Sequence, residues 1–325
     1  MTIQDNSKRG GEFDVSNRIN ITRPLEVSQH VAQLYVQTYG RSDAVSKILN
    51  AFDDFVRLFE GRYHGYQHCD TEYHDLQHSL DVTLAMARLM NGHERQHPRH
   101  QLGPRRFLLG IVIALFHDSG YIRASNDRYA DNGAVYTLTH VTRSGEFLRK
   151  YLPGIGLGDH TQLATTLVHF TGYEMDIDSL VVENPRDRKI GELLGTADLI
   201  AQMSDRCYLE KCRDRLYREF EMCGLAGKKN PEHPPVFESP EDLLLKTPEF
   251  YRSSVLRRLT KNFTNAYQYA HAHFDGLNPY MDYITRNMKH LEKLNETGDY
   301  SRLQRRPPQT CCASPRISED ARIPA

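Results

Sequence analysis

An adjacent histidine and aspartate, His117 and Asp118, end the apolar run from Phe107 to Phe116. Burying a neutral imidazole and a carboxylate at the end of an apolar helix costs free energy unless another group pairs with them. Imidazole nitrogens and carboxylate oxygens are both good ligands for first-row divalent metal ions. A divalent metal ion is therefore the partner that this pair indicates.

A pair of histidines lies in the segment YHDLQHSLDV, from Tyr73 to Val82. His74 and His78 are four residues apart, so on a helix they share one face. One of them could bind a metal ion while the other faces a substrate. A surface position for His74 is the alternative interpretation.

Three more polar residues stand where the local pattern would accept an apolar side chain. His140 begins a predicted helix, His169 ends another, and Asp198 lies within the apolar segment GTADLIAQM. Taken singly, His169 could be a structural histidine, and Asp198 could cap a helix or pair with an arginine. Their occurrence in order on successive predicted helices favours a single metal site that gathers them.

The elements that would position these residues are helical. From about residue 25 to residue 300, apolar residues recur at three- and four-residue steps, and no segment shows sustained period-two alternation. We interpret the chain as all-α, a single helical domain at 25–300 with flexible tails at 1–24 and 301–325. Within it we expect a helix from Tyr73 to Met90, a long helix with an apolar stripe from Tyr251 to Phe274, and a surface loop at 224–240.

Composition and charge narrow the possible partners and the compartment. The 41 Lys and Arg residues are balanced by 42 Asp and Glu residues, so no basic excess indicates a nucleic acid polymer or an anionic membrane. The apolar run from Phe107 to Phe116 is shorter than the roughly 20 residues that span a bilayer, and the first residues, MTIQDNSKRGGEF, lack a signal-peptide pattern. The six cysteines form no regular framework, which indicates reduced thiols and a cytoplasmic protein.

The order of these residues resembles the HD superfamily of metal-dependent phosphohydrolases, whose pattern is H…HD…D, often with two further histidines before the last aspartate. The matching residues are His78, His117, Asp118, His140, His169 and Asp198. Local motifs resemble those of the cyclic-nucleotide phosphodiesterase branch: YHDLQHSLDV is similar to YHNxxHAxDV, HDSGYIRASN to HDxxHxxxxN, and the segment from Thr196 to Glu221 to that branch's ADL helix. The resemblance covers roughly residues 60 to 225.

Some positions depart from the motifs. Asp75 replaces an asparagine, Ser79 replaces an alanine, and Tyr121 replaces the second histidine of HDxxHxxxxN. Tyr121 also holds the place of the lysine that HD-GYP proteins carry after their HD pair. His140 and His169 match the extra histidines of the HD-GYP-like and other dinuclear branches, so the resemblance still implies protein ligands for a second metal ion.

The resemblance implies a site of two divalent ions, of Mn, Zn, Mg or Fe. In this site His78, His117, Asp118 and Asp198 would hold the first ion, and Asp118 would bridge to the second. His74 would be the general acid that protonates the leaving oxygen. Two such ions about 3.5–4 Å apart can share a hydroxide and stabilise both oxygens of a phosphoryl transfer. The expected activity is a phosphodiesterase acting on a nucleotide or another small phosphate ester.

Two other functions are compatible with the same residues. A branch similar to myo-inositol oxygenase uses a similar ligand set to hold two irons, and carboxylate and imidazole ligands suit iron as well as manganese. A non-catalytic metal-binding sensor or scaffold is the second alternative. A proton donor at His74 favours hydrolysis, whereas the complete ligand set disfavours the non-catalytic alternative. The oligomeric state stays open.

Overall fold

The computed structural model describes residues 9–227 and 235–308. Within these ranges the chain forms helices joined by turns and isolated β-bridges, and it contains no β-strand. The predicted all-α class is confirmed. None of the helices in these ranges combines the length and the hydropathy that a bilayer span requires.

We label the α-helices in chain order, with shorter 3-10 turns between several of them. They are α1 (Pro24–Tyr39), α2 (Asp43–Phe59), α3 (Leu76–Gln96), α4 (Pro104–Phe116), α5 (His140–Tyr151), α6 (Thr161–Leu167), α7 (Pro185–Ser204), α8 (Tyr208–Lys211), α9 (Tyr217–Met222), α10 (Pro240–Phe250), α11 (Tyr269–His273) and α12 (Pro279–Thr297). π-helical turns at Cys212–Leu216, Tyr251–Val255 and Arg258–Asn262 extend or connect these helices.

The central element of the fold is α3. It is buried along most of its length and contacts α1, α4, α7 and α11. Its neighbour α4 is buried at every position from Phe107 to Phe116, which explains why its sequence is apolar all round. His78 lies on α3, Asp198 lies on α7, and the His117–Asp118 pair directly follows α4. The packing of these helices therefore brings the four residues toward one another.

The first turn of α3 differs from the sequence prediction. Asp75 is the N-cap, and its side chain accepts a hydrogen bond from the backbone N–H of His78 at 3.0 Å. His74 therefore precedes the helix instead of sharing a helical face with His78. Asparagine and aspartate cap helices about equally well, so Asp75 can fill the same capping role as an asparagine at this position.

The predicted long helix from Tyr251 to Phe274 is wrong. Thr264 and Asn265 adopt the left-handed conformation, with φ of 51° and 58°, and the chain turns there before α11. The apolar stripe of the sequence continues past this turn because the helix that follows, α11, also packs one face against α3. At this contact a Cβ on Gly92 would lie 1.9 Å from the Tyr269 carbonyl oxygen, so α3 needs glycine at this point.

Parts of the predicted tails lie against the bundle. Arg9 and Asp14 are buried, and Arg9 donates a hydrogen bond to the Ser204 carbonyl oxygen at 3.2 Å. At the other end Leu303 is buried, and Arg215 donates to the Pro308 carbonyl oxygen at 2.8 Å. The remaining tail residues, 1–8 and 309–325, and residues 228–234 of the predicted surface loop lie outside the described residues.

Asp81 in α3 is a buried acid whose Oδ1 has no hydrogen-bond partner. Burial and the nearby Asp205 raise the pKa of Asp81 to about 7. A raised folded-state pKa adds stability below the unfolded pKa of about 3.9, and this stability is lost as pH rises to about 7.

Asp81→Asn is therefore expected to be more stable than wild type at pH 8, by about 1–3 kcal/mol. The difference should shrink toward pH 4, where the wild-type carboxyl is protonated in the folded chain. Urea unfolding at several pH values measures this difference. If the two proteins differed in the free energy of unfolding by the same amount at pH 4 and pH 8, the raised pKa assigned to Asp81 would be contradicted.

Candidate metal centre

Three potential ligands converge where the first turn of α3 meets the end of α4. One ligand atom each from His78, His117 and Asp118 lies within 4.8 Å of the others, and all three residues are buried. His78 is held by the first turn that Asp75 caps, and His117 and Asp118 directly follow the buried helix α4. The structure therefore forms a buried His-His-Asp group that could bind a metal ion.

Asp198 of α7 faces the same group. Its Oδ1 lies 3.4 Å from His78 Nε2 and 3.8 Å from His117 Nε2. Asp118 Oδ2 lies 3.3 Å from each of the same two nitrogens. Two imidazole nitrogens and two carboxylate oxygens thus face one another across a small buried space.

His140 approaches the other oxygen of Asp118, with Nε2 3.6 Å from Oδ1. The turn after α4 and the start of α5 lie unusually close together, because a Cβ on Gly120 would lie 1.8 Å from the His140 carbonyl oxygen. The Gly120 N–H also donates to Ser144 Oγ at 2.9 Å. Gly120 therefore sets the position of His140, a role that a motif match does not reveal.

His169 is the one predicted ligand that the structure does not bring into contact with the others. Among the described residues no hydrogen bond, ion pair or ring contact joins it to the other five. Its Nδ1 is buried without a hydrogen-bond partner, and burial lowers its pKa, an effect that attraction to Glu174 only partly offsets.

The hydrogen bonds of two histidines support a metal ion as the missing partner. His117 Nδ1 lies 2.8 Å from the Ala114 carbonyl oxygen, and His140 Nδ1 lies 2.6 Å from that of Thr137. A carbonyl oxygen only accepts, so each Nδ1 carries a proton, and it is the Nε2 atom of each ring that faces Asp118. Both His117 Nε2 and Asp118 Oδ2 are buried without a hydrogen-bond partner. A cation bound between these two atoms would give each of them a partner.

The electrostatics of the group also call for positive charge. Burial disfavours the imidazolium, but attraction to the carboxylates of Asp118 and Asp198 raises the pKa of His78 to about 10. Burial likewise opposes ionisation of Asp118, yet attraction to the neighbouring histidines, His117 first, holds the pKa of Asp118 well below the usual range. Either a proton or a metal ion could supply this charge, so the two would compete and a bound metal ion would be held more weakly at low pH.

His74 lies at the edge of the group and is held by an acid that sequence reasoning missed. Glu219 of α9 is buried, and its Oε2 lies 2.5 Å from His74 Nδ1. Its Oε1 accepts a hydrogen bond from the Tyr73 N–H at 2.6 Å. The only available sequence signal was an acid in the segment similar to the ADL helix. The carboxylate fixes the ring orientation of His74 and leaves Nε2 free of this contact.

Tyr121, the departure from the HDxxHxxxxN motif, is buried against two of these histidines. Its ring centroid lies 4.4 Å from that of His74 and 4.4 Å from that of His140, with planes 16° and 20° apart. Such near-parallel stacking restrains both imidazoles. Tyr121 stands where the HDxxHxxxxN motif has its second histidine, and there its phenol ring packs against His74 and His140 and orients them.

A cavity of about 420 Å³ opens beside these residues. His74, His78, Asp118, His140 and Asp198 all contribute to its lining. Its volume lies within the range of small-molecule sites, about 300–1,000 Å³. The candidate metal centre is thus accessible to a small molecule.

Comparison of the sequence with protein-family models and with curated proteins gave no match. The fold and the site therefore carry the classification. They define an all-α domain with a buried His-His-Asp group that could bind a metal ion, which is compatible with an HD-like metal-binding domain.

Proposed function

We propose that the protein is an HD-type metal-dependent phosphohydrolase, acting as a phosphodiesterase on a nucleotide or another small phosphate ester. One observation carries the proposal. His74, oriented by Glu219, lines the same cavity as the potential ligands His78, Asp118 and Asp198. A proton donor beside a metal centre is what departure of an alkoxide from phosphorus requires.

The residues divide into two groups in this proposal. His78, His117, Asp118 and Asp198 would hold a first ion, and Asp118 and His140 would contribute to a second. His169 enters the second site only through the resemblance. A bound divalent ion supplies Lewis-acid activation of water and of the phosphoryl oxygens. His74 Nδ1–H donates a hydrogen bond to the Glu219 carboxylate, which leaves Nε2 to donate a proton to the leaving oxygen. Tyr121 restrains the ring during this transfer.

The test compares leaving groups. Wild type and His74→Asn, supplied with manganese, are assayed on phosphodiesters that release either p-nitrophenolate or an alkoxide. General acids contribute about 10²–10⁴-fold, so the variant should lose about that much with the alkoxide ester and much less with p-nitrophenolate, which leaves without a proton. Equal losses would contradict a general acid at His74. Dioxygen consumption by an iron-loaded protein that hydrolyses no ester would favour the oxygenase, and bound metal with neither activity would favour the sensor.

Glu219→Gln isolates the positioning of His74. Glutamine keeps the shape and the bond to the Tyr73 N–H but removes the charge that holds Nδ1–H. We expect kcat to fall about 10–100-fold, as for other residues that orient functional histidines, with KM and metal content unchanged. Glu221→Gln is the matched control, because Glu221 is exposed on the same helix. Loss of bound metal in Glu219→Gln would instead indicate a structural role.

A further inference from the structure

Apolar side chains form most of the cavity wall beyond the potential ligands. They come from the end of α7, from the continuous helix at 208–222, and from α10 with its π-helical turn. These side chains include Met203, Leu216, Phe220, Leu243 and Phe250, and Phe237 joins them from the segment before α10. Phe220 and Phe237 stack with their planes 8° apart, which gives the wall a flat aromatic surface.

The charged side chains on the described part of this wall already have hydrogen-bond partners, so that part provides no unpaired group for a second charge on a ligand. Among the described lining residues, Lys246 is the one lysine or arginine. Its Nζ already donates to Asp242 at 2.7 Å and to the Val236 carbonyl oxygen at 2.9 Å. The one acid outside the ligand group, Glu174, accepts hydrogen bonds from the N–H groups of Val141 and Thr142. A charge buried here would lack a partner.

Exposed apolar side chains continue the wall to the solvent. Leu138, Tyr173 and Phe250 line the cavity, yet they are 59%, 59% and 44% exposed. The rings of Tyr173 and Phe250 lie 6.1 Å apart. Clustered exposed apolar side chains at a cavity mouth indicate contact with a ligand. Apolar surface therefore extends from the metal-ligand candidates to the mouth.

We propose that the cavity takes a phosphoester with one phosphoryl group, whose alcohol part is a bulky, uncharged apolar chain or ring. This ligand class deepens the proposed function and rests on it for the reaction. In that reaction a water oxygen bonds to phosphorus and releases one proton to the solvent, and the bond from phosphorus to the alcohol oxygen breaks. The departing alkoxide takes a proton from His74, which regains one from the solvent. The phosphoryl group lies at the metal-ligand candidates and the apolar part lies along the wall.

Binding of non-hydrolysable alkylphosphonates tests the ligand class without requiring turnover. Calorimetry on the full manganese-loaded chain compares methyl-, butyl- and octylphosphonate, each below its micelle-forming concentration. Each buried methylene is expected to tighten binding about two- to fourfold. The matched 7-carboxyheptylphosphonate should bind at least about tenfold more weakly than octylphosphonate, because Lys246, the one cation among the described lining residues, already pairs with Asp242. Phenylphosphonate distinguishes an aryl from an alkyl preference.

Two variants on α10 locate the apolar part. Phe250→Ala should weaken octylphosphonate binding about three- to tenfold and leave methylphosphonate unchanged. Leu245→Ala, 55% exposed on the same helix and absent from the cavity lining, should change neither. Equal affinity for methyl- and octylphosphonate, or no penalty for the carboxylate, would overturn the inference even in an active hydrolase. Chain-length-dependent binding without hydrolysis would support the ligand class and refute the proposed function.

Discussion

Asp118→Ala is expected to abolish metal binding. Its two oxygens face three imidazole nitrogens, those of His78, His117 and His140, at 3.3 to 3.6 Å. No other described residue approaches all three, so its removal eliminates the shared ligand of the centre. Elemental analysis of protein purified without chelator should find about two equivalents of divalent metal in wild type and none in the variant. Phosphodiester hydrolysis should fall by more than the 10–100-fold typical of residues that only orient a ligand.

Two companion variants sharpen the result for Asp118. Asp131→Ala removes an exposed acid from the loop before α5 and should keep full metal content and activity. His169→Ala tests the second ion, to which the proposed function assigns His169 although the structure shows no contact between His169 and the ligand group. We expect one equivalent to remain in that variant. Full metal content in a folded Asp118→Ala protein would refute the assigned centre, and two equivalents in His169→Ala would remove His169 from it.

Asp14→Ala is expected to give the largest loss of stability. Asp14 and Arg88 form a buried ion pair, with Oδ2 2.6 Å from Nη2 and side chains 0% and 2% exposed. Asp14 Oδ1 also accepts hydrogen bonds from the N–H groups of Arg18 and Ile19. Removing one partner of a buried pair leaves an uncompensated charge and costs about 3–5 kcal/mol. Urea unfolding measures this loss.

The pH dependence of that loss has a definite direction. Burial alone would raise the pKa of Asp14, but attraction to Arg88 and three backbone and side-chain hydrogen bonds hold it well below the usual value. A lowered folded-state pKa contributes stability above the unfolded pKa of about 3.9, and this stability is lost as pH falls through the folded-state value. The difference between wild type and Asp14→Ala should therefore be constant near neutral pH and shrink below about pH 4.

An exposed pair provides the control for Asp14. Asp159 pairs with Arg105 at 3.2 Å with its side chain 89% exposed. Exposed pairs contribute little because water and salt screen them, so Asp159→Ala should change the free energy of unfolding by only a small fraction of the Asp14 effect. Comparable losses in the two variants, or a difference that grows toward acid pH, would contradict the assigned role of the Asp14–Arg88 pair.

Local pattern was sufficient for the helices that carry the potential ligands. The run from Phe107 to Phe116 is apolar all round, and it forms the buried helix that delivers His117 and Asp118. Asp198 lies within α7 and His140 begins α5, as their flanking residues predict. In each case the signal is helical periodicity over a few turns, which depends on residues close in sequence.

Local pattern failed where a competing conformation was available nearby. A helix through His74 satisfies the spacing of the two histidines, but Asp75 caps the helix one residue later and the chain before it is free to turn. A helix through Asn265 satisfies the apolar stripe, but asparagine tolerates the left-handed conformation that turns the chain there. Periodicity alone does not distinguish an uninterrupted helix from two helices that bury the same side.

The sequence did not predict hydrogen-bond and ion-pair partners that lie far apart along the chain. Glu219 lies 145 residues from His74, which it orients, and Asp14 lies 74 residues from Arg88. The segment around Arg9 and Asp14 is polar and aperiodic, and such composition also describes a solvated tail. Its acid is buried because Arg88, inside the central helix α3, needs a counter-charge that only a distant part of the chain provides.

The sequence by itself determined that the chain is helical and which imidazole and carboxylate groups could bind a metal, because helix formation and ligand chemistry depend on residue types over short spans. Tertiary structure alone decided that His78, His117, Asp118 and Asp198 face one another, that His169 stands apart, and that an apolar wall adjoins them. Those outcomes depend on how α3, α4 and α7 pack, and packing is set by contacts between residues far apart in the chain.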